Sequence, residues 1–238
     1  MTAVVTERSR VVLAALDAVR DPELDEPITT LGFVSTCVVS AAGDVVVRLR
    51  LPTYFCAPNF AFLMVADAYD VVSALPAVRA VDVALVDHFA ADQINAGVAA
   101  RAGFVASFAG EAEDELDELR RTFVSKAVLA GTDQVCRPLI ASGMDPAELA
   151  GLTLGDVPPS DELERLRRRR AELGLRADLA APLLLDPGTG DAITGAGAPK
   201  YLGKARLTRT GIEANTGICR GMLRHRYAET GAGEEGSG

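Results

Sequence analysis

The residue best placed for chemistry is Cys56, in the loop Leu51-Pro52-Thr53-Tyr54-Phe55-Cys56-Ala57-Pro58-Asn59, which leaves an expected strand and enters an expected helix just beyond the thiol. A sulfur there faces the free amides and the positive end of the helix dipole, a setting that favours the thiolate, the form that ligates metals and attacks electrophiles. The plainer reading is a small cysteine filling a strand-helix corner. Two other thiols are candidates to join it. Cys219 stands in Thr216-Gly217-Ile218-Cys219-Arg220-Gly221, beside an arginine whose charge would ease thiol ionisation, and Cys136 follows Gly131-Thr132-Asp133, which reads as a turn. His88, in Asp87-His88-Phe89 after the last expected strand, offers an imidazole suited to iron or zinc; as a lone histidine at a strand end, its plainer role is an ordinary hydrogen bond. Three cysteines gathered with His88 or carboxylates would bind a cluster or a single metal, but separations of about eighty residues do not say whether they meet. Asp21 and Glu23, in Asp21-Pro22-Glu23, have a local reading as a turn-capping carboxylate and its solvated neighbour. Cys37, mid-strand, reads as core.

The elements that must position these groups follow from periodicity and breakers. Thr6 caps a helix running to about Val19, with Val11, Val12, Ala15, Leu16 and Val19 on one face, and Asp21-Pro22-Glu23 stops it. Phe33 to Ser40 and Val45 to Leu51 read as a hairpin around Ala41-Ala42-Gly43-Asp44, the second strand setting Val45, Val47 and Leu49 against Val46, Arg48 and Arg50. Pro58 suits the first turn of a helix carrying the apolar run Phe60 to Val72, and Val78 to Val86 reads as a third strand. The order helix, strand, strand, helix, strand predicts a small α/β (α+β) layer, a mixed sheet with helices on one face.

Beyond Ala90 strand patterning ends. A helix is expected over Glu111 to Ala130, and caps announce two more, at Asp145-Pro146-Ala147-Glu148 and at Asp161 with Glu164. Residues Asp186 to Gly203 show no sustained period. The arginines 165 and 167–170, interleaved with acidic residues, read as a solvated helix face. These limits divide the chain into an α/β domain over 1–90, a helical extension with a basic, glycine-containing tail over 91–230, and a polar terminus over 231–238.

With 33 acidic against 24 basic side chains the net charge is −9, which argues against sequence-independent nucleic-acid binding. From Gly195 to Tyr227, however, seven Lys or Arg face Glu213 alone, making that segment a candidate contact surface. No apolar run reaches the ~18–20 residues of a membrane span, and Met1 to Arg10 is charged with no apolar block and cleavage site after it, so the expected location is the cytoplasm, where four dispersed cysteines read as thiols or metal ligands. Gly197 to Gly203 lacks phosphate-loop spacing, and no Ser-His-Asp elbow is visible.

Across about Arg8 to His88 the motifs Asp21-Pro22-Glu23-Leu24, Ile28-Thr29-Thr30-Leu31-Gly32-Phe33-Val34, the hairpin, the Leu-x-Thr-x-x-Cys-like loop and Leu75-Pro76-Ala77-Val78 occur in the order that resembles the iron-sulfur cluster assembly domain family, which includes SufT-like proteins and an accessory of phenylacetyl-CoA oxygenase. The resemblance implies a non-enzymatic maturation factor that binds iron or an iron-sulfur cluster transiently. It implies Cys56 as the residue that handles the cluster, with Asp21 and Glu23 as the family's Asp-Pro-Glu carboxylates. The expected partner is an apo-client metalloprotein, with a multicomponent (di-iron) oxygenase component, a monooxygenase, as the named candidate; homodimerisation stays open. The rival expectation is a metal-free chaperone or regulatory subunit of an oxygenase system. Two departures stand out: Ala57 separates Cys56 from Pro58 where the family has Cys-Pro, and Pro52-Thr53-Tyr54-Phe55 replaces a threonine-rich stretch.

Overall fold

The computed structural model describes residues 7–110 and 116–228. The cap expected at Thr6, the start of the helix expected at Glu111 and the terminus 231–238 lie outside the described residues. The chain divides into two compact units, one of residues 1–116 with 216–238 and one of residues 117–215. The first unit thus reaches past the 1–90 segment marked by the sequence and takes in the end of the last helix.

In the first unit, α1 (Glu7–Leu16) precedes β1 (Val34–Val39), β2 (Asp44–Arg50), α2 (Pro58–Ser73), β3 (Ala80–Val86), α3 (Ala91–Ala99) and the single turn α4 (Phe104–Ser107). The strands form one mixed sheet in the order β1-β2-β3, antiparallel across the hairpin and parallel between β2 and β3. The hairpin turn depends on Gly43, whose φ is +89° and whose missing Cβ would sit 2.7 Å from the Ala77 carbonyl oxygen. Period-two alternation buries Val45, Val47 and Leu49, which the register sets beside Val81, Val83 and Leu85. Helix α2 covers that face with Ala61, Met64, Val65, Ala68 and Val72, so the sheet presents one apolar face, as the residue alternation predicts. Cys37 departs from its expected core position: it is half-buried on the outer strand, its sulfur 3.9 Å from the Ser9 carbonyl. At the β3 edge of the sheet the Asn95 side chain pairs with Leu85, accepting from its N–H at 2.8 Å and donating to its carbonyl at 2.9 Å, which satisfies part of that edge.

In the second unit, α5 (Asp117–Ala141), the single turn α6 (Pro146–Leu149), a 3-10 turn at Leu154–Asp156, α7 (Asp161–Glu172) and the first part of α8 (Ala198–Ala228) surround a core of Val128, Leu149, Leu154, Leu166 and Leu183. The turn expected at Gly131-Thr132-Asp133 is instead continuous helix. Gly131 lies against α7, where an added Cβ would meet Leu166 at 3.5 Å, so the glycine serves close helix packing. The capping box at Asp145 forms as the sequence predicts, Asp145 accepting from the Ala147 amide and Glu148 from the Asp145 amide, both at 2.8 Å. At α7 the cap is Ser160, whose hydroxyl accepts from Leu163 N–H at 3.2 Å, and Asp161 is the first helical residue.

The arginine face of α7 is not wholly solvated. Arg170 is 0% exposed and donates to the carbonyls of Pro182 at 2.7 Å and Leu183 at 2.6 Å. Helix α8 begins where no period is visible, because its stability comes from what it buries: in this unit Tyr201, Leu202 and Ala205 face inward, Tyr201 donates to the Leu185 carbonyl at 2.8 Å, and Arg209 binds Asp133 at 2.6 Å. Among the described residues no helix is long and apolar enough to cross a membrane.

Candidate functional site

The loop from Leu51 to Ala57 carries Cys56 off the end of β2. Ala57 is the N-cap of α2 and Pro58 opens the helix, so the extra residue relative to Cys-Pro sets the thiol one position ahead of the cap. Cys56 is half-exposed, and its sulfur lies 3.3 Å from the Thr53 hydroxyl. That hydroxyl oxygen also accepts from Phe55 N–H at 3.3 Å, which leaves its hydrogen free to point at sulfur. Three exposed rings cluster together, Tyr54 and Phe55 (77% exposed) from the cysteine loop and Phe89, with centroids 5.0 to 6.3 Å apart. An exposed aromatic trio of this kind is a feature of surfaces that bind other molecules.

The loop is braced from behind. Phe89 N–H donates to the Tyr54 carbonyl at 3.2 Å, and His88 lies 2.7 Å through Nε2 from the Cys56 carbonyl. An amide can only donate, and Ala90 N–H donates to His88 Nδ1 at 3.2 Å, so the proton of the neutral ring is on Nε2 and the Cys56 carbonyl accepts it. Burial holds the His88 pKa below its ordinary value, the Cys56 carbonyl opposing and Arg226 adding to the depression. With both nitrogens engaged, His88 acts in this arrangement as a brace for the cysteine loop.

The end of α8, contributed by the first unit, locks the same region. Arg226 donates to the carbonyls of Leu51 at 3.2 Å and Asp87 at 2.7 Å and pairs with the Asp87 carboxylate at 2.6 Å, which also accepts from the Tyr227 hydroxyl at 3.0 Å. Asp87 adopts φ +57°, a conformation that an aspartate tolerates better than a bulkier residue and that these contacts hold in place. Arg220 pairs with Glu26 at 2.5 Å. The sequence marks this basic segment as a contact surface but gives no sign that Arg226 and Tyr227 clamp Asp87, 139 and 140 positions away.

Of the other candidates, Asp21 is buried at the start of the turn over residues 22–24, where one carboxylate oxygen accepts from the amides of Glu23 and Leu24, each at 2.9 Å. Burial raises its pKa to about 6, against the opposing pull of those amides, and the Glu23 charge adds to the rise. Cys219 is raised to about 11, first by burial and then by the charges of Asp21, Cys56 and Glu23. The electropositive setting expected from Arg220 is therefore absent, because that guanidinium is occupied by Glu26. Asp21, Glu23, Cys56 and Cys219 thus share one electrostatic neighbourhood. Among the described residues, however, no group of three or more His, Cys, Asp or Glu side chains is placed to hold a metal ion. Cys136 belongs to the other unit, wholly buried, its pKa raised to about 12 by burial and by Asp133, with Arg170 opposing. There it packs as a small apolar side chain.

Residues 9–83 match the family model of iron-sulfur cluster assembly proteins. That segment, from α1 into β3, is an iron-sulfur assembly-type domain, which the rest of the chain extends. A crystal structure of a domain of unknown function, DUF59, from Bacillus anthracis is 29% identical, covering 33% of this chain and 73% of its own, with a TM-score of 0.31. No curated protein matches the chain.

Proposed function

We propose that the protein is a non-enzymatic maturation factor that takes up iron or an iron-sulfur cluster on Cys56 and passes it to an apo-client. The observation that carries this reading is the half-exposed Cys56, on a loop that is held at both ends and carries the exposed rings of Tyr54 and Phe55, within a segment that matches an assembly family. The chemistry is ligand exchange: Cys56 loses its proton and donates a sulfur lone pair to iron, an incoming client thiolate or carboxylate displaces it, and Cys56 regains a proton. A cargo held by few protein ligands leaves readily, whereas a closed four-ligand site retains its metal. Asp21, Glu23 and Cys219 supply negative charge and a second sulfur to this neighbourhood, and the aromatic trio offers the client a docking surface. The client proposed first is an oxygenase component, on the likeness to the phenylacetyl-CoA oxygenase accessory.

The test is transfer. Wild-type protein loaded with iron and sulfide under anaerobic conditions is mixed with an apo iron-sulfur acceptor, and acceptor activity is followed. Cys56→Ser should lower the transfer rate at least tenfold, while Cys37→Ser leaves it unchanged. A second reading, a metal-free folding helper, draws on the exposed rings. It predicts that Cys56→Ser matures a client as well as wild type and that Phe55→Ser does not.

A further inference from the structure

We infer that the first unit holds a second site, a cleft for a small organic oxyanion, independent of whether Cys56 handles a cluster. The cleft has a volume of about 570 Å³ and is walled by Arg50 from β2 and by Arg220, Arg224 and Tyr227 from α8, with Thr30 at its rim and Leu223 on its apolar side. That volume falls within the ~300–1,000 Å³ range of small-molecule pockets.

Arg50 carries the argument. Its guanidinium lies 4.5 Å over the Tyr227 ring, and its Nε is shielded from solvent with no hydrogen-bond partner. Among the described residues no carboxylate pairs with Arg50, so no ion pair offsets the charge that this guanidinium brings to the cleft. Among the described residues Arg224 likewise has no carboxylate partner, and its Nε donates to the Arg220 carbonyl at 3.3 Å. Arg220 is paired with Glu26. Among the described residues, three guanidinium groups of the cleft therefore meet one paired carboxylate, an excess of two positive charges.

Cations near the end of a helix commonly balance its dipole, which accounts for Arg224. Arg50 comes from a strand, and the dipole of α8 does not explain it. The planar forks of arginine match the paired oxygens of carboxylate and phosphate, and the stack on Tyr227 keeps one fork oriented before a ligand arrives. The ligand class is a small molecule bearing two negative charges as carboxylate or phosphate, with an apolar portion to lie along Leu223.

The test is calorimetric titration of the full chain with inorganic phosphate and with succinate, at constant ionic strength held by chloride. At least one probe should bind, and Arg50→Gln should weaken it tenfold or more. Arg50→Lys, which keeps the charge and loses the fork, should recover only part of that loss, and the exposed Arg224→Gln should weaken binding about threefold or more. Arg101→Gln changes net charge equally elsewhere in the same unit and should leave binding unchanged. Binding of phosphate alone assigns a phosphate-bearing ligand, and binding of succinate alone a dicarboxylate. Absence of binding by both probes, or an equal loss in Arg101→Gln, overturns the inference.

Discussion

Cys56 and Cys136 carry the same functional group in opposite settings. Cys56 sits on a strand-to-helix loop, half-exposed beside a hydroxyl, whereas Cys136 lies on α5 with no exposed surface, its proton held by burial until about pH 12. Each unit also has an arginine-carbonyl clasp, buried in the second unit and half-buried in the first. In the second unit Arg170 ties Pro182 and Leu183 to α7; in the first, Arg226 ties Leu51 and Asp87 to α8. The same device closes a core in one place and steadies the cysteine loop in the other. What makes a thiol available is therefore the element that carries it, and the clasp only fixes that element.

The largest expected effect is in reactivity. Under native conditions iodoacetamide should modify Cys56 at least about a thousandfold faster than Cys136, since the buried thiol reacts only through opening of its unit. Comparable rates by mass spectrometry would erase the distinction between the two settings. Next, Arg170→Ala leaves the Pro182 and Leu183 carbonyls unpaired in a dry core and should destabilise the second unit by about 2–4 kcal/mol in urea unfolding. A loss under about 0.5 kcal/mol would show that those carbonyls find other donors.

The pH dependence of the first unit sharpens the contrast further. The Asp21 carboxyl titrates near 6 when folded against 3.8 when unfolded, so its contribution to stability is complete below pH 3.8 and is lost as pH rises through about 6. Asp21→Asn keeps the acceptor for Glu23 and Leu24 and does not titrate. Its stability relative to wild type should therefore rise by roughly 2–3 kcal/mol between pH 4 and pH 7, and parallel curves would contradict the assignment. Smallest, Arg226→Lys preserves charge but cannot bridge Leu51 and Asp87 as a fork. It should cost about 1–2 kcal/mol and speed hydrogen exchange at the Phe89 amide, whereas unchanged exchange would remove Arg226 from the bracing of the loop.

What the sequence makes legible is what local rules control. Pro58 opens α2, Gly43 turns the hairpin, Val45, Val47 and Leu49 alternate inward, and Asp145 with Glu148 forms its box, each within a few residues of its cause. Cys56, Asp21 and Glu23 stand out because they lie in two short motifs, the cysteine loop and Asp-Pro-Glu, that carry the family resemblance. Long-range causes leave no such mark. Gly131 looks like a turn until Leu166 is set against it, and Arg170 looks solvated until Pro182 and Leu183 come around it. Helix α8, interrupted by Gly203, Gly211, Gly217 and Gly221, has weak intrinsic helicity and is held by distant partners. Arg226 and Tyr227 belong to the site only because the chain returns to Asp87 after more than half its length.

The central claim, that Cys56 is the atom that holds the cargo, is tested most directly by loading. Anaerobic reconstitution with ferrous iron and sulfide, followed by gel filtration, gives bound iron per chain and the visible sulfur-to-iron absorption. The account predicts bound iron with that absorption in wild type, its loss in Cys56→Ser, and its retention in Cys136→Ser. Equal iron and identical spectra in wild type and Cys56→Ser would contradict it.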